Sequence, residues 1–142
     1  MAAAIAEAHL AAADDEVPIG AAIVRDGIVV ARTHNETVDR SDPTAHAELH
    51  AIQQALRTLK TDRHIDCTLY VTLEPCAQCA GAIVLAKVGR LVFGAADPKA
   101  GMCGSVGDLV RHARLNHRLE VIGGIDEANC ARLLQEFFAV RR

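Results

Sequence analysis

Aromatic residues are scarce in this chain: no tryptophan, one tyrosine and three phenylalanines among 142 residues. That excludes an extended stacking platform of the kind on which many single-strand nucleic-acid binders lay successive bases. No apolar run approaches the roughly 18 residues that a membrane helix needs, so no membrane segment is expected. Basic residues are missing from Met1 to Glu16, a stretch rich in alanine that carries Glu7, Asp14, Asp15 and Glu16. A secretory signal would open with positive charge, and a cytoplasmic protein is therefore expected. The five cysteines, Cys67, Cys76, Cys79, Cys103 and Cys130, are odd in number and unevenly spaced. In a reducing compartment this argues against a disulfide framework and for metal ligation plus buried thiols.

An overall excess of positive charge is also lacking, since the net charge is -3, but the charges are unevenly distributed. Residues 1 to 84 carry 6 basic and 12 acidic side chains, whereas 85 to 118 carry Lys87, Arg90, Lys99, Arg111, Arg114 and Arg118 against Asp97 and Asp108 alone, a balance of +4. With Arg141 and Arg142 at the end, this half of the chain could face a polyanion.

Hydrophobic residues make up 51% of the chain, enough for one sizeable core, and residues 1–142 are expected to form a single domain. Met1 to Asp15 reads as helix. The runs Ile19 to Val24 and Ile28 to Thr33 read as an antiparallel hairpin turning at Asp26-Gly27. Asp42-Pro43 has the form of an N-cap followed by proline, predicting a helix through Leu59 with Leu49, Ile52, Leu56 and Leu59 along its buried stripe. Thr68 to Leu73, Ala77 to Lys87 and Arg90 to Ala95 form a strand, helix, strand unit expected to be parallel and right-handed. A glycine-rich loop follows Asp97-Pro98, then a short helix near Val106 to His112, a strand near Leu119 to Ile122 and a helix from Asp126 to Val140. The expected fold class is α/β: a three-layer α/β/α sandwich around a mixed five-stranded sheet.

The chemistry sits in a split motif. His46-Ala47-Glu48 opens one predicted helix and Pro75-Cys76-Ala77-Gln78-Cys79 opens another, at the carboxyl end of a strand, where open α/β sheets place their ligands. One imidazole and two thiolates make a three-ligand zinc site with the fourth corner free for water, and a carboxylate two residues from the imidazole can move that water's protons. Those parts suit a hydrolytic deaminase. Two other zinc schemes are disfavoured. If His50 joined the set, a closed Cys2His2 site would leave Glu48 without a role, and one turn of rise, about 5.4 Å, carries His50 away from the thiols. In the metalloprotease pattern the glutamate directly follows the first histidine of a pair, whereas here Ala47 intervenes.

The chain resembles the cytidine deaminase superfamily, and within it the bacterial tRNA adenosine deaminases that make inosine at the anticodon wobble position. The resemblance rests on Asp15-Glu16-Val17-Pro18-Ile19-Gly20, Asn35, Asp42-Pro43-Thr44-Ala45-His46-Ala47-Glu48, Leu69-Tyr70-Val71-Thr72-Leu73-Glu74-Pro75-Cys76, Cys79-Ala80-Gly81-Ala82, Val92-Phe93-Gly94-Ala95, Asn116-His117-Arg118 and Phe137-Phe138 with Arg141-Arg142. It spans almost the whole chain. It implies one Zn2+ per subunit on His46, Cys76 and Cys79, with Glu48 as proton shuttle: the carboxylate takes a water proton, delivers it to adenine N1 as C6 is attacked, and helps protonate the departing amine. It further implies substrate contacts at Asn35, Ala47, Asp97, Lys99, Asn116, His117, Arg141 and Arg142, a tRNA anticodon stem-loop as partner, a homodimer and no further protein partner. Phe137-Phe138 would close the base pocket. Gln78, His50 and Met102-Cys103 depart from the family pattern. Two rival readings use the same residues: a guanine, free nucleobase or nucleoside deaminase of the superfamily, and a non-enzymatic RNA-binding protein stabilised by zinc.

Overall fold

Asp26 and Gly27 both adopt left-handed backbone, φ 51° and 75°, the mirror-image turn that matches the twist of two antiparallel strands. They join β1 (Gly20–Arg25) to β2 (Ile28–His34), in register from Arg25 opposite Ile28 to Gly20 opposite His34, with one irregularity after Ile23. This computed structural model describes residues 1–141. The expected terminal contact at Arg142 lies outside the described residues.

Before the hairpin runs α1 (Ala2–Ala13), and after it come α2 (Ala47–Leu59), β3 (Cys67–Leu73), α3 (Ala77–Leu85), β4 (Arg90–Ala95), β5 (Glu120–Ile122) and α4 (Glu127–Ala139). The sheet order is β2-β1-β3-β4-β5. β1 pairs antiparallel with β3, while β3, β4 and β5 are parallel neighbours. Leu69 and Val71 of β3, Leu91 and Phe93 of β4, and Ala21 and Ile23 of β1 alternate onto one face, where they pack with Ala51, Ile52 and Ala55 of α2 and Ala80, Ile83 and Val84 of α3. The other face carries α1 and α4. It requires small residues: a Cβ on Gly20 would lie 1.9 Å from the Ala4 carbonyl oxygen, and one on Gly94 would lie 2.4 Å from the Cys130 sulfur of α4. The expected three-layer α/β/α sandwich with a mixed five-stranded sheet is what the chain forms.

Two local expectations fail, both through polar side chains that capture backbone groups. The helix predicted from Asp42-Pro43 starts at Ala47, with His46 as its extended N-cap residue, φ -86° and ψ 148°. Asp42 Oδ1 instead accepts the Thr44 N–H at 2.8 Å and the Thr44 hydroxyl at 2.7 Å, a side-chain turn that competes with the helix. The helix predicted near Val106 to His112 is a chain of turns, pinned by a bridge between Cys103 and Asp108. There Asp108 is drawn onto Arg111, and Gly104 holds φ 134°.

Candidate metal centre and base pocket

Cys76 is the residue that caps α3, and Cys79 lies in its first turn. Such a position favours thiolates because the unpaired N–H groups of a helix start carry partial positive charge. His46 caps α2, and the two helix starts meet above the carboxyl end of β3. His46 Nδ1 stands 3.5 Å from Cys76 Sγ and 3.6 Å from Cys79 Sγ. A tetrahedral zinc with bonds of about 2.0–2.1 Å to nitrogen and about 2.3 Å to sulfur holds those atoms about 3.5 Å apart. Among the described residues these three form the one such donor group, and its dimensions and donor chemistry fit zinc. His50 does not belong to it; its Nε2 faces Glu36 Oε2 at 3.4 Å.

Hydrogen bonds from Cys79 and then His46 hold the Cys76 thiol down at about 3, while the bond to Cys76 followed by burial pushes the Cys79 thiol up. The hydrogen bond to Cys76 raises His46. A cation between them would replace those shared protons. Glu48, 4% exposed, is pushed up to about 7 by burial, against the pull of a backbone hydrogen bond and of His46. A carboxyl group poised there exchanges protons in either direction near neutrality.

The remaining site residues divide by place. Asn35, at the end of β2, accepts the Ala47 N–H on Oδ1 at 2.9 Å and is thereby tied to the donor trio through the first residue of α2. Thr33 supports the same residue, its hydroxyl donating to the Ala47 carbonyl at 2.7 Å. Asp97 Oδ1 caps its own turn, accepting the N–H groups of Lys99 at 3.0 Å and Ala100 at 3.3 Å. Lys99 and Arg141 line one cleft of about 510 Å³ with Leu134, Gln135, Phe138 and Ala139. Arg141 also stacks over the Phe137 ring at 3.5 Å and pairs with Asp15 at 2.6 Å. Of the two phenylalanines, Phe137 is buried and Phe138 is 44% exposed beside that cleft. Asn116 and His117 are not brought to the trio: the first accepts from Lys87 Nζ at 2.9 Å and the second contacts the Val88 carbonyl at 2.7 Å. Both sit past the carboxyl end of α3, a helix of 9 residues and so about 13 Å long, whose opposite end carries the thiols.

Glu74 has no role in the split motif. It is buried beneath the loop after β4, where Oε1 accepts the Cys103 and Ser105 N–H groups at 3.0 Å each, and Oε2 accepts the Asp97 N–H at 2.9 Å and the Ser105 hydroxyl. Burial opposes its ionisation, but the bonds from Ser105, Asp97 and Cys103 prevail and hold its carboxyl below the usual range. An acidic residue closing an apolar strand, directly before Pro75-Cys76, was the available signal. His64 was also missed. Fully buried, it reaches the Ile52 carbonyl at 3.2 Å and joins α2 to the start of β3.

Residues 1–142 match the family described as MafB19-like deaminase. The chain is 49% identical over 137 residues to the tRNA-specific adenosine deaminase of Bacillus subtilis, an alignment covering 95% of this chain and 84% of that protein. It is 43% identical over 139 residues to the protein of the same name from Agrobacterium fabrum, covering 98% and 91%. A solved structure from work on A-to-I editing by tRNA:A34 deaminases at the wobble position of transfer RNA superposes with a TM-score of 0.90 at 43% identity, covering 94% of this chain and 97% of the other. The chain belongs to the MafB19-like deaminase family, among the tRNA-specific adenosine deaminases.

Proposed function

We propose that this protein converts adenosine to inosine at the wobble position of a tRNA anticodon by hydrolytic deamination, with one zinc ion per subunit held by His46, Cys76 and Cys79. The observation that carries the reading is the convergence of His46 Nδ1 on both sulfurs, at 3.5 and 3.6 Å, with the buried Glu48 two residues further on. When bound, zinc supplies a Lewis acid that brings the pKa of a coordinated water near 7. Glu48 is the catalytic residue: its carboxylate takes one proton from water and delivers it to adenine N1 as the water oxygen bonds to C6, then takes the second proton from the new C6 hydroxyl and passes it to the amine as the C6–N bond breaks and ammonia leaves. Its burial favours this work, because desolvation raises the carboxyl and makes it a stronger base than an exposed glutamate.

Asn35 positions the base. With Oδ1 taken by Ala47, its amide presents Nδ2 as a donor to an acceptor on the purine edge, close to Ala47 itself. Asp97 would use its remaining carboxylate oxygen on the ribose 2′-hydroxyl, the group that distinguishes RNA from DNA. Lys99 and Arg141 would meet phosphates across their shared cleft. Asn116 and His117 are assigned to more distant parts of the stem-loop because they lie at the other end of α3, and Arg142 keeps its expected contact with the RNA.

Residues 1–142 act as a single deaminase domain in this reading, in the cytoplasm where tRNA is modified. No helix among the described residues is long and apolar enough to cross a membrane. A homodimer formed across the helices flanking α3 accompanies the reading, and the exposed Leu85 at the end of that helix is suited to such a contact. The test is direct. Purified protein incubated in parallel with an anticodon stem-loop, adenosine, guanine and cytidine should release ammonia from the stem-loop, and turnover of guanine alone would overturn the assignment. Glu48→Ala should retain zinc while losing ammonia release by at least about 1,000-fold, as expected for loss of the group that moves every proton. An active Glu48→Ala protein would refute its role.

A further inference from the structure

Gln78 stands between the two cysteines, half-buried, where an apolar side chain would suffice if the position only filled space. Its amide is engaged instead. Nε2 donates to the Thr44 carbonyl at 2.9 Å, across 34 residues of chain, and lies 3.9 Å from Cys79 Sγ. A primary amide nitrogen carries two protons, so both contacts can be made at once.

The Thr44 carbonyl has a second suitor. It also accepts the His46 N–H at 2.8 Å, so one oxygen receives both the backbone of the imidazole donor and the side chain that sits among the thiol donors. Thr44 is itself immobilised from the other side by Asp42, through its N–H and its hydroxyl. The sequence Asp42, Thr44, Gln78, Cys79 is thus a continuous run of polar contacts from the loop before α2 to the first turn of α3. We propose that Gln78 is a positioning residue for the metal centre: it clasps the His46 loop to α3 and donates an N–H to the Cys79 sulfur. The clasp fixes the imidazole relative to the thiols, and the N–H draws electron density from the sulfur, both routes by which groups behind the ligands tune a bound ion.

This rests on the zinc reading above, and the two can fail separately. Wild type, Gln78→Leu and Gln78→Glu would each be loaded with zinc and with cobalt. Gln78→Leu removes both donors at similar length, and Gln78→Glu sets a carboxylate against a carbonyl oxygen and a thiolate. The expected result is zinc release to a chelator about 10-fold faster than wild type in both variants, in line with the cost of losing such supporting groups. The sulfur-to-cobalt charge-transfer band should also move to longer wavelength, since a thiolate without its hydrogen bond gives up an electron more readily. A role confined to holding the fold would leave that band in place. Release rates within twofold of wild type, or an unmoved band in either variant, overturn the assignment to Gln78. A wild-type protein that takes up neither ion sinks the zinc reading itself, and the proposal with it.

Discussion

In the proposed function Asn35 works in two directions, and its two amide atoms separate them. Oδ1 holds the Ala47 N–H at the mouth of α2, a helix-start donor that would otherwise be buried without a partner, while Nδ2 is assigned to the base. Asn35→Ala should remove both, costing about 1–2 kcal/mol of stability for the lost cap and the stranded donor along with most of the activity. Asn35→Asp keeps the acceptor and loses the donor. It should melt close to wild type yet bind the stem-loop substrate more weakly, read as a raised KM; a wild-type KM would remove Asn35 from the base pocket. The trio itself was visible in the sequence, because ligand spacing is a chemical constraint that tolerates little variation. The positions of Asn116 and His117 were not visible, since nothing in their local sequence reports that the turn they occupy folds back onto Lys87 and Val88.

Glu74 ties the first half of the loop between β4 and β5 to the end of β3. Four donors converge on this one carboxylate, and Gly101 packs so tightly against it that a Cβ there would lie 2.3 Å from the carboxyl carbon. Glu74→Gln replaces an acceptor by a donor facing donors and should destabilise by about 1–3 kcal/mol, the cost of an unsatisfied buried partner. The sign with pH follows from a carboxyl held below its usual 4.5: its contribution is complete above that value and is lost as pH falls through the lower folded-state one. Wild-type melting temperature should therefore drop below about pH 4.5, and the Gln variant should drop less over the same interval. Equal slopes would exclude Glu74 as a source of acid sensitivity. The strands and helices followed from periodicity and turn residues, as the Asp26-Gly27 hairpin illustrates. The two missed segments, 43 to 46 and 106 to 112, are those where side chains from afar or nearby seize the backbone. Glu74 acts across 29 and 31 residues of sequence on Cys103 and Ser105, a separation no local pattern encodes.

At the scale of the molecule the charge asymmetry becomes a question about RNA. The +4 balance already counts Asp108 against Arg111, but Arg90 is paired with Glu120 from outside the segment, so the balance overstates by one what is offered to phosphate. Lys99, exposed beside Phe138 and Arg141, is a cation open to it. If it meets one phosphate, Lys99→Ala should reduce the slope of log affinity against log salt concentration by about 0.7 for single-stranded RNA, leaving turnover at saturation close to wild type. An unchanged slope would place the RNA elsewhere. The seat of α1 has a wider consequence. Its backbone rests on Gly20, and its Glu7 grips His34 at 2.8 Å, one residue before Asn35. Sliding that first helix by even one position would bring a methyl group or a turn out of step with the glycine notch and drag on the strand that leads into Asn35. Extensions and trims at the amino terminus, remote from the chemistry along the chain, should therefore be felt in how well the enzyme holds its base.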